Sequence, residues 1–183
     1  MEKTLQSILE QRKSIRKFTG EQIRQEELET ILEAANAAPV AMKLYDNLKI
    51  IVIQNQELIE QLDQNTVRSF EKFRGPGKKT AIFHAPTLIL IAAKSTDVNI
   101  RQGLYCTAAC MLENMILTAT DLKLGNVYLM GVTMALNQNE TLKEKVGIST
   151  EYEAVSALAL GKTDVPFTKR DLSLTRFQIQ KIQ

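Results

Sequence analysis

The chain has 183 residues, of which 44% are apolar and 24% charged, and its formal net charge is +2. This balance predicts one soluble domain over residues 1–183 with enough chain for a substantial core, and so small a charge does not indicate a nucleic-acid partner. No apolar run reaches the length of a membrane span and the first residues contain no signal-peptide core, so we expect a cytoplasmic protein.

The first element that carries chemistry follows a short helix predicted over residues 4–13. Arg12, Ser14 and Arg16 alternate in a segment without helical periodicity, and alternate side chains of an extended segment share one face. Ile15 then points the other way and can anchor the segment in the core. Two guanidinium groups and a hydroxyl on one face form an anion cradle (Arg12, Ser14 and Arg16) suited to a phosphate or a planar carbonyl edge. From these residues alone, a solvated basic loop remains the alternative.

Helical periodicity and short apolar runs predict most of the remaining elements. The predicted helices cover 25–37, 56–72, 101–122 and 137–146, and the predicted strands cover 48–53, 87–93, 126–130 and 154–160. Pro39 ends the second helix, and loop 39–47 follows it. Loop 74–79, with Lys78 and Lys79, is either a substrate lid or a solvated loop. Asn137 and Glu140 are spaced as a helix-capping pair, with Gly147 as the stop.

Two apolar strands, 87–93 and 154–160, show no alternation, which indicates that both faces of the sheet are covered. Helices on a sheet of this kind predict an α+β or α/β sandwich. Asn114, a polar residue within the apolar stripe of helix 101–122, is predicted to form a buried structural hydrogen bond. No dinucleotide or P-loop fingerprint is present.

The two cysteines lie four residues apart on helix 101–122. Cys106 and Cys110 are therefore interpreted as core thiols of a protein from a reducing compartment. The only histidine, His84, is distant in sequence and is interpreted as structural, so we expect no metal site.

The stretch Arg12–Phe18, read as R-x-S-I-R-x-F, resembles the opening signature of the nitroreductase family of FMN-dependent oxidoreductases. Residues 113–119 are similar to the family's Q-N-M-x-L-x-A, residues 122–131 to its L-G-L-G-S-x-W-I-G, and residues 165–170 to its closing K-x-R or P-x-R. Loop 39–47 departs from the family's A-P-S-x-x-N-x-Q-P-W, because Val40, Lys43 and Tyr45 replace Ser, Asn and Gln.

The resemblance implies an α+β three-layer sandwich, with a central mixed β-sheet flanked by helices. It also implies a homodimer with two flavins at the subunit interface and a tail over residues 171–183 that wraps the partner. The expected FMN-binding residues come from the cradle, from loop 39–47 of the partner, from the backbone near the flavin N5 edge and from the closing segment: Arg12, Lys13, Ser14, Arg16; Pro39, Val40, Ala41, Lys43; Met130, Gly131; and Lys169 or Arg170.

The implied activity is ping-pong transfer of hydride from NAD(P)H, through FMN, to a planar electron-poor acceptor such as a nitroaromatic or a quinone. The flavin carries this chemistry, so no catalytic side chain is expected, and Arg16 is the candidate cation beside the reduced flavin. Two alternatives stay open. One is a flavin-binding sensor or carrier without reductase turnover, suggested by the altered loop 39–47, and the other is a structural dimer without flavin.

Overall fold

A computed structural model describes residues 4–74 and 79–182, which form six α-helices and four β-strands. In chain order these are α1 (Leu5–Gln11), α2 (Gln25–Asn36), β1 (Leu48–Ile53), α3 (Gln56–Arg74), β2 (Thr87–Ala93), α4 (Val98–Asp121), β3 (Gly125–Tyr128), α5 (Met130–Leu136), α6 (Glu140–Lys145) and β4 (Glu153–Gly161). All nine predicted elements are present, with ends that differ by up to three residues. Residues 75–78 of the predicted loop 74–79, including Lys78, lie outside the described residues.

The four strands form one sheet in the order β1-β2-β4-β3. Each of the three pairings is antiparallel. Among the described residues the sheet is therefore antiparallel throughout, where a mixed sheet was expected. Strands without alternation are typical of parallel sheets, but helices on both faces of an antiparallel sheet produce the same apolar pattern.

Helices cover the sheet on both faces, which gives three layers. All seven residues of β2 are buried. Ile89 and Ile91 belong to a core cluster shared with α2 and α4, whereas Leu88 and Leu90 belong to a second cluster shared with α3, α5 and α6. Successive residues of a strand face opposite sides, so every position of β2 must be apolar. The predicted α+β sandwich is confirmed.

The longest helix, α4, has 24 residues and a length of about 36 Å. The Asp97 side chain caps its N-terminus by accepting hydrogen bonds from the backbone N–H groups of Asn99 and Ile100. Asn114 donates to the Ala34 carbonyl oxygen at 3.1 Å and so ties α4 to α2, as predicted. No helix among the described residues is both long enough and apolar enough to cross a membrane.

Two predictions require correction, and one helix was missed. Cys106 and Cys110 are exposed, because they lie on the face of α4 that points away from the sheet. Asn137 does not cap the N-terminus of α6: its amide donates to the Ala154 carbonyl oxygen and accepts from the Ala154 N–H, each at 2.8 Å. The cap of α6 is Asn139, whose side chain accepts from the Leu142 N–H. Helix α5 was not predicted at all.

Candidate functional site

The anion cradle lies on the free edge of β3. The Ile15 N–H donates to the Asn126 carbonyl oxygen at 2.8 Å, and the Ile15 side chain is only 2% exposed. Ser14 and Arg16, on the other face of this extended segment, are exposed, and Arg12 is half-buried. The predicted division of the segment into an anchor and a cationic face is therefore confirmed.

Two glycines allow the cradle segment to lie close to the sheet. A Cβ atom at Gly161 would lie 2.5 Å from Pro86 Cδ and 3.0 Å from Phe18 Cδ1. A Cβ atom at Gly125 would lie 3.0 Å from Phe18 Cε1. The Phe18 ring therefore occupies the space that side chains at positions 125 and 161 would need, which fixes the C-terminal end of the segment.

Arg170 lies beside Arg12 and completes the group of cations. Its backbone N–H donates to the Glu10 carbonyl oxygen at 2.9 Å, and its guanidinium donates to the Leu9 carbonyl oxygen at 3.4 Å. Burial, followed by the positive charges of Arg12 and Arg176, lowers the pKa of Arg170 and outweighs the opposing effect of the Glu113 carboxylate. The Arg170 Nε atom is buried and has no hydrogen-bond partner among the described residues. An anion between Arg12 and Arg170 would supply an acceptor for Nε and further negative charge beside the two guanidinium groups.

The neighbouring residue Lys169 is engaged elsewhere. Its Nζ atom lies 2.9 Å from Glu10 Oε2 in an ion pair at the surface of α1. Adjacent side chains of an extended segment point in opposite directions. Of the two cations that the sequence left as alternatives, the structure brings Arg170 to the cradle and Lys169 to α1.

Further contacts fasten the closing segment 165–170 to the cradle. Lys13 Nζ donates to the Pro166 carbonyl oxygen and to Thr168 Oγ1, the latter at 3.3 Å. Lys123 Nζ donates to the Gln11 amide oxygen and lies 5.2 Å from the centre of the Phe167 ring. Lys13 therefore points away from the face formed by Arg12 and Ser14 and links the two cationic segments.

Loop 39–47 packs against the opposite end of α4. The Ala41 N–H donates to Thr107 Oγ1 at 3.0 Å, and a Cβ atom at Gly103 would lie 3.1 Å from Ala41 Cβ. The cradle, in contrast, meets the chain just after Asp121, where α4 ends. Thr107 and Asp121 are 14 residues apart, which corresponds to about 21 Å along the helix. Within one chain, the loop therefore packs on the N-terminal half of α4, whereas the Ile15 anchor of the cradle lies beyond the C-terminal end of α4.

The loop has a strained and exposed tip. Met42 and Lys43 both adopt left-handed backbone conformations, with φ of 52° and 59°. Such values are uncommon for residues other than glycine and tend to occur at functional sites. Pro39, Lys43 and Tyr45 are exposed, and Val40 and Ala41 are half-buried. A cavity of about 400 Å³ lies beneath the loop, lined by Ala35, Asn36, Val40, Tyr45, Leu48, Ile50 and Met111.

Met130 and Gly131 begin α5, directly beyond the strand whose edge carries the cradle. The preceding Leu129 N–H donates to the Ala157 carbonyl oxygen at 2.8 Å, which fixes the chain where β3 ends. The Met130 side chain is 50% exposed. The predicted ring-contacting backbone is thus on the same edge of the sheet as the cradle.

One face of α4 is exposed and mostly apolar or small. Its residues recur at helical spacing: Gln102, Tyr105, Cys106, Ala109, Cys110 and Glu113. Tyr105 donates to the Glu153 carboxylate, and burial together with this contact raises the pKa of Tyr105 to about 12. The C-terminal tail also carries exposed apolar side chains, at Leu172, Leu174, Phe177, Ile179 and Ile182.

Sequence reasoning missed Phe83, which lies against the cradle. The guanidinium carbon of Arg16 is 5.8 Å from the centre of the Phe83 ring. Phe83 has φ of 62° and His84 has φ of 57°. Neither position 83 nor position 84 is a glycine or an asparagine, the residues that usually indicate this conformation, so only the structure identifies it.

Solved structures with the same fold cover nearly the whole chain. A nitroreductase with bound FMN from Bacteroides fragilis has a TM-score of 0.82 at 20% identity, with 98% of this chain and all of that chain covered. A putative NADH oxidase from Clostridium acetobutylicum has a TM-score of 0.70 at 23% identity and covers 96% and 99%. The NADPH:FMN oxidoreductase from Vibrio harveyi, complexed with NAD+, has a TM-score of 0.74 at 19% identity and covers 98% and 79%.

At these identities the structural likeness shows the fold alone, and no curated protein matches the chain in sequence. The family itself is shown by sequence, because the nitroreductase family model matches residues 9–162. That range includes the anion cradle, loop 39–47, α4 and the whole sheet. The chain therefore belongs to the nitroreductase family.

Proposed function

We propose that this protein is an FMN-dependent oxidoreductase that transfers reducing equivalents from NAD(P)H to a planar, electron-poor acceptor such as a nitroaromatic or a quinone. One observation carries the proposal: the positive charges of Arg12 and Arg176 act on Arg170 more strongly than the negative charge of Glu113, and the buried Arg170 Nε has no acceptor among the described residues. The solved nitroreductase from Bacteroides fragilis has FMN bound, and the Vibrio harveyi relative is an NADPH:FMN oxidoreductase.

The FMN phosphate fits between the two arginines. Arg12 and Arg170 supply forked donors for phosphate oxygens, and Ser14 adds a neutral hydroxyl. Lys13 contributes positive charge and holds the closing segment in place, whereas Lys169 keeps its ion pair with Glu10. This assignment explains why two half-buried guanidinium groups lie close together with only the opposing charge of Glu113 acting on Arg170.

Arg16 is assigned to the pyrimidine edge of the flavin. Its side chain is exposed on the cradle face, two residues beyond Ser14. Bound FMN would supply the hydride chemistry, and the protein's task is to bind, orient and stabilise it. A fixed cation at the pyrimidine edge stabilises the negative charge of the reduced ring. The backbone at Met130 and Gly131 is assigned to the N5 edge.

The site requires a homodimer. We assign Pro39, Val40, Ala41 and Lys43 to the cradle of a second copy, because loop 39–47 packs at Thr107, whereas Ile15 of the cradle pairs with Asn126 beyond the end of α4. The exposed face of α4 and the apolar tail over residues 171–183 provide surface that such a partner would cover. Cys106 and Cys110 would then be buried between subunits, and their thiol state fits a cytoplasmic location.

Alternate binding of NAD(P)H and acceptor at one flavin face gives a ping-pong cycle. An acceptor there meets the tip of loop 39–47, where Tyr45 is available for stacking and Lys43 attracts an anionic group. Few side chains are placed to recognise its shape, so the acceptor range should be broad.

The second candidate is a flavin-binding protein without turnover. It is favoured by loop 39–47, where Val40, Lys43 and Tyr45 stand in place of the family's polar residues. Stopped-flow mixing of flavin-loaded protein with NADH and with NADPH separates the two candidates. Bleaching of the visible flavin band by either nucleotide, followed by recovery with a quinone, supports the reductase. A flavin that persists unbleached for minutes supports the binding protein, and a colourless protein that fails to bind added FMN overturns both.

A further inference from the structure

Building on the proposed function, we propose that Phe83 is a positioning residue for Arg16. Its ring holds the guanidinium at the pyrimidine edge of FMN and so raises the reduction potential of the bound flavin. Phe83 would thus tune the cofactor through Arg16.

The contact between the two side chains is the first support. The Arg16 guanidinium carbon lies 5.8 Å from the Phe83 ring centre, within the range of a cation–π interaction. In the parts of the chain that are described, the Arg16 side chain takes part in no hydrogen bond or ion pair. The Phe83 ring therefore restricts a long side chain that no hydrogen bond or ion pair among the described residues holds in place.

The backbone conformation is the second support. Phe83 and His84 are consecutive residues with φ of 62° and 57°, which is unfavourable for side chains with a Cβ atom. A conformation of this kind persists only where the surroundings impose it, and it accumulates where a side chain must be aimed. His84 is exposed, so burial of its imidazole is not the reason. The side chain that the turn directs toward a functional group is Phe83.

A network of hydrogen bonds to Asp63 of α3 imposes this turn. Asp63 Oδ1 accepts hydrogen bonds from Thr80 Oγ1 and from the N–H groups of Ala81 and Ile82, at 2.8, 2.8 and 2.5 Å. Thr80 Oγ1 in turn accepts from the Phe83 N–H at 2.8 Å. One carboxylate thus determines the path of residues 80–83 and, through it, the position of the ring beneath Arg16.

The expected consequence is a change in potential as well as in affinity. Reduction places negative charge at the pyrimidine edge, so a guanidinium that is fixed there favours the reduced flavin over the oxidised one. If the ring is removed, Arg16 samples more rotamers and spends less time at that edge. The ratio of reduced to oxidised flavin at a given potential then falls.

The test measures the two-electron midpoint potential of bound FMN, by equilibration with a reference dye, in Phe83→Leu, Phe83→Met, Phe83→Tyr and Arg16→Gln proteins. We expect Phe83→Leu and Phe83→Met to lower the reduced-to-oxidised ratio about 3- to 10-fold, which is about 14–30 mV for a two-electron couple. Phe83→Tyr keeps the ring and should retain the wild-type potential. In an Arg16→Gln background, Phe83→Leu should cause no further shift.

Three outcomes would overturn the inference, and they separate it from the proposed function. If Arg16→Gln lowers the potential but Phe83→Leu and Phe83→Met do not, Phe83 has only a packing role and the proposed function stands. If the Phe83 and Arg16 effects add, Phe83 does not act through Arg16. If no variant and no wild-type protein binds FMN, the proposed function fails, and this inference fails with it.

Discussion

Replacing Arg170 by glutamine tests the most specific assignment in the site, namely that Arg170 and not Lys169 meets the FMN phosphate. Glutamine keeps a donor for the Leu9 carbonyl oxygen but removes the charge and the fork. Because burial and the charges of Arg12 and Arg176 already lower the pKa of Arg170, its charge is unfavourable in the cofactor-free protein. The apoprotein of Arg170→Gln should therefore be at least as stable as the wild type.

FMN affinity should move in the opposite direction. A hydrogen bond to a charged group contributes about 1.5–3 kcal/mol. The substitution also removes the repulsion between Arg12 and Arg170. This stabilises the apoprotein but not the complex, where the phosphate already neutralises the repulsion, so it weakens FMN binding further. We expect FMN binding to weaken by about 2 kcal/mol, or roughly 30-fold in Kd.

Lys169→Gln is the matched control, because it removes one positive charge at the adjacent position. Its ion pair with Glu10 is at the surface, so we expect FMN affinity to change less than threefold. The assay is quenching of flavin fluorescence during titration of apoprotein, with thermal unfolding of each apoprotein in parallel. Equal weakening in the two variants would show that only net charge matters, and unchanged affinity in Arg170→Gln would remove Arg170 from the site.

Three further predictions concern the dimer and the frame of the site. Ala109→Glu, in the middle of the exposed face of α4, should give a monomer that loses FMN, whereas the control Gln138→Glu should remain a dimer. Sedimentation measures both, and a flavin-loaded monomer of the wild type would refute the shared site. Gly161→Ala should lower the free energy of unfolding by about 1–3 kcal/mol, because its Cβ would overlap Pro86, and urea unfolding measures this. Burial alone would raise the pKa of Glu27, but hydrogen bonds from Lys162 and Arg24 outweigh it and lower the pKa from 4.5 to about 2. This carboxylate should add at most about 3 kcal/mol to the free energy of unfolding above pH 4.5, and this stabilisation is lost as the pH falls from 4.5 toward 2. Unfolding measured at pH 7 and pH 3 should show the loss in the wild type and not in Glu27→Gln.

The parts of the fold that repeat a short period were predictable. Arg12, Ser14 and Arg16 alternate around Ile15, and the period of two alone divides the segment into an anchor and a cationic face. The run Thr87–Ala93 likewise required two covered faces, and the structure has them. Strand direction was not predictable, because burial on both faces constrains composition and not the sense of the pairing.

Positions that depend on tertiary context were harder to predict. Cys106 and Cys110 follow the helical period as well as the buried residues do, and only the placement of the sheet decides which face of α4 is covered. Helix α5 has seven residues, with Gly131 and Thr133 among them, so its pattern is too short to distinguish from strand or loop. Lys169 and Arg170 have the same charge, and the choice between them depends on which side of an extended segment faces Arg12.

The proximity of Arg12 and Arg170 has a consequence for protein turnover. These residues come from opposite ends of the sequence, and the backbone bond from Arg170 to Glu10 is isolated from the hydrogen-bond ladder of the sheet. Segments that lie outside the hydrogen-bond ladder of a sheet open more readily than the body of a fold, and opened segments are where proteases cleave. A ligand held between the two arginines joins both segments and suppresses this opening in proportion to its concentration over its Kd. If FMN is that ligand, as proposed, it should protect residues 9–16 and 165–170 from limited proteolysis in proportion to its occupancy of the site.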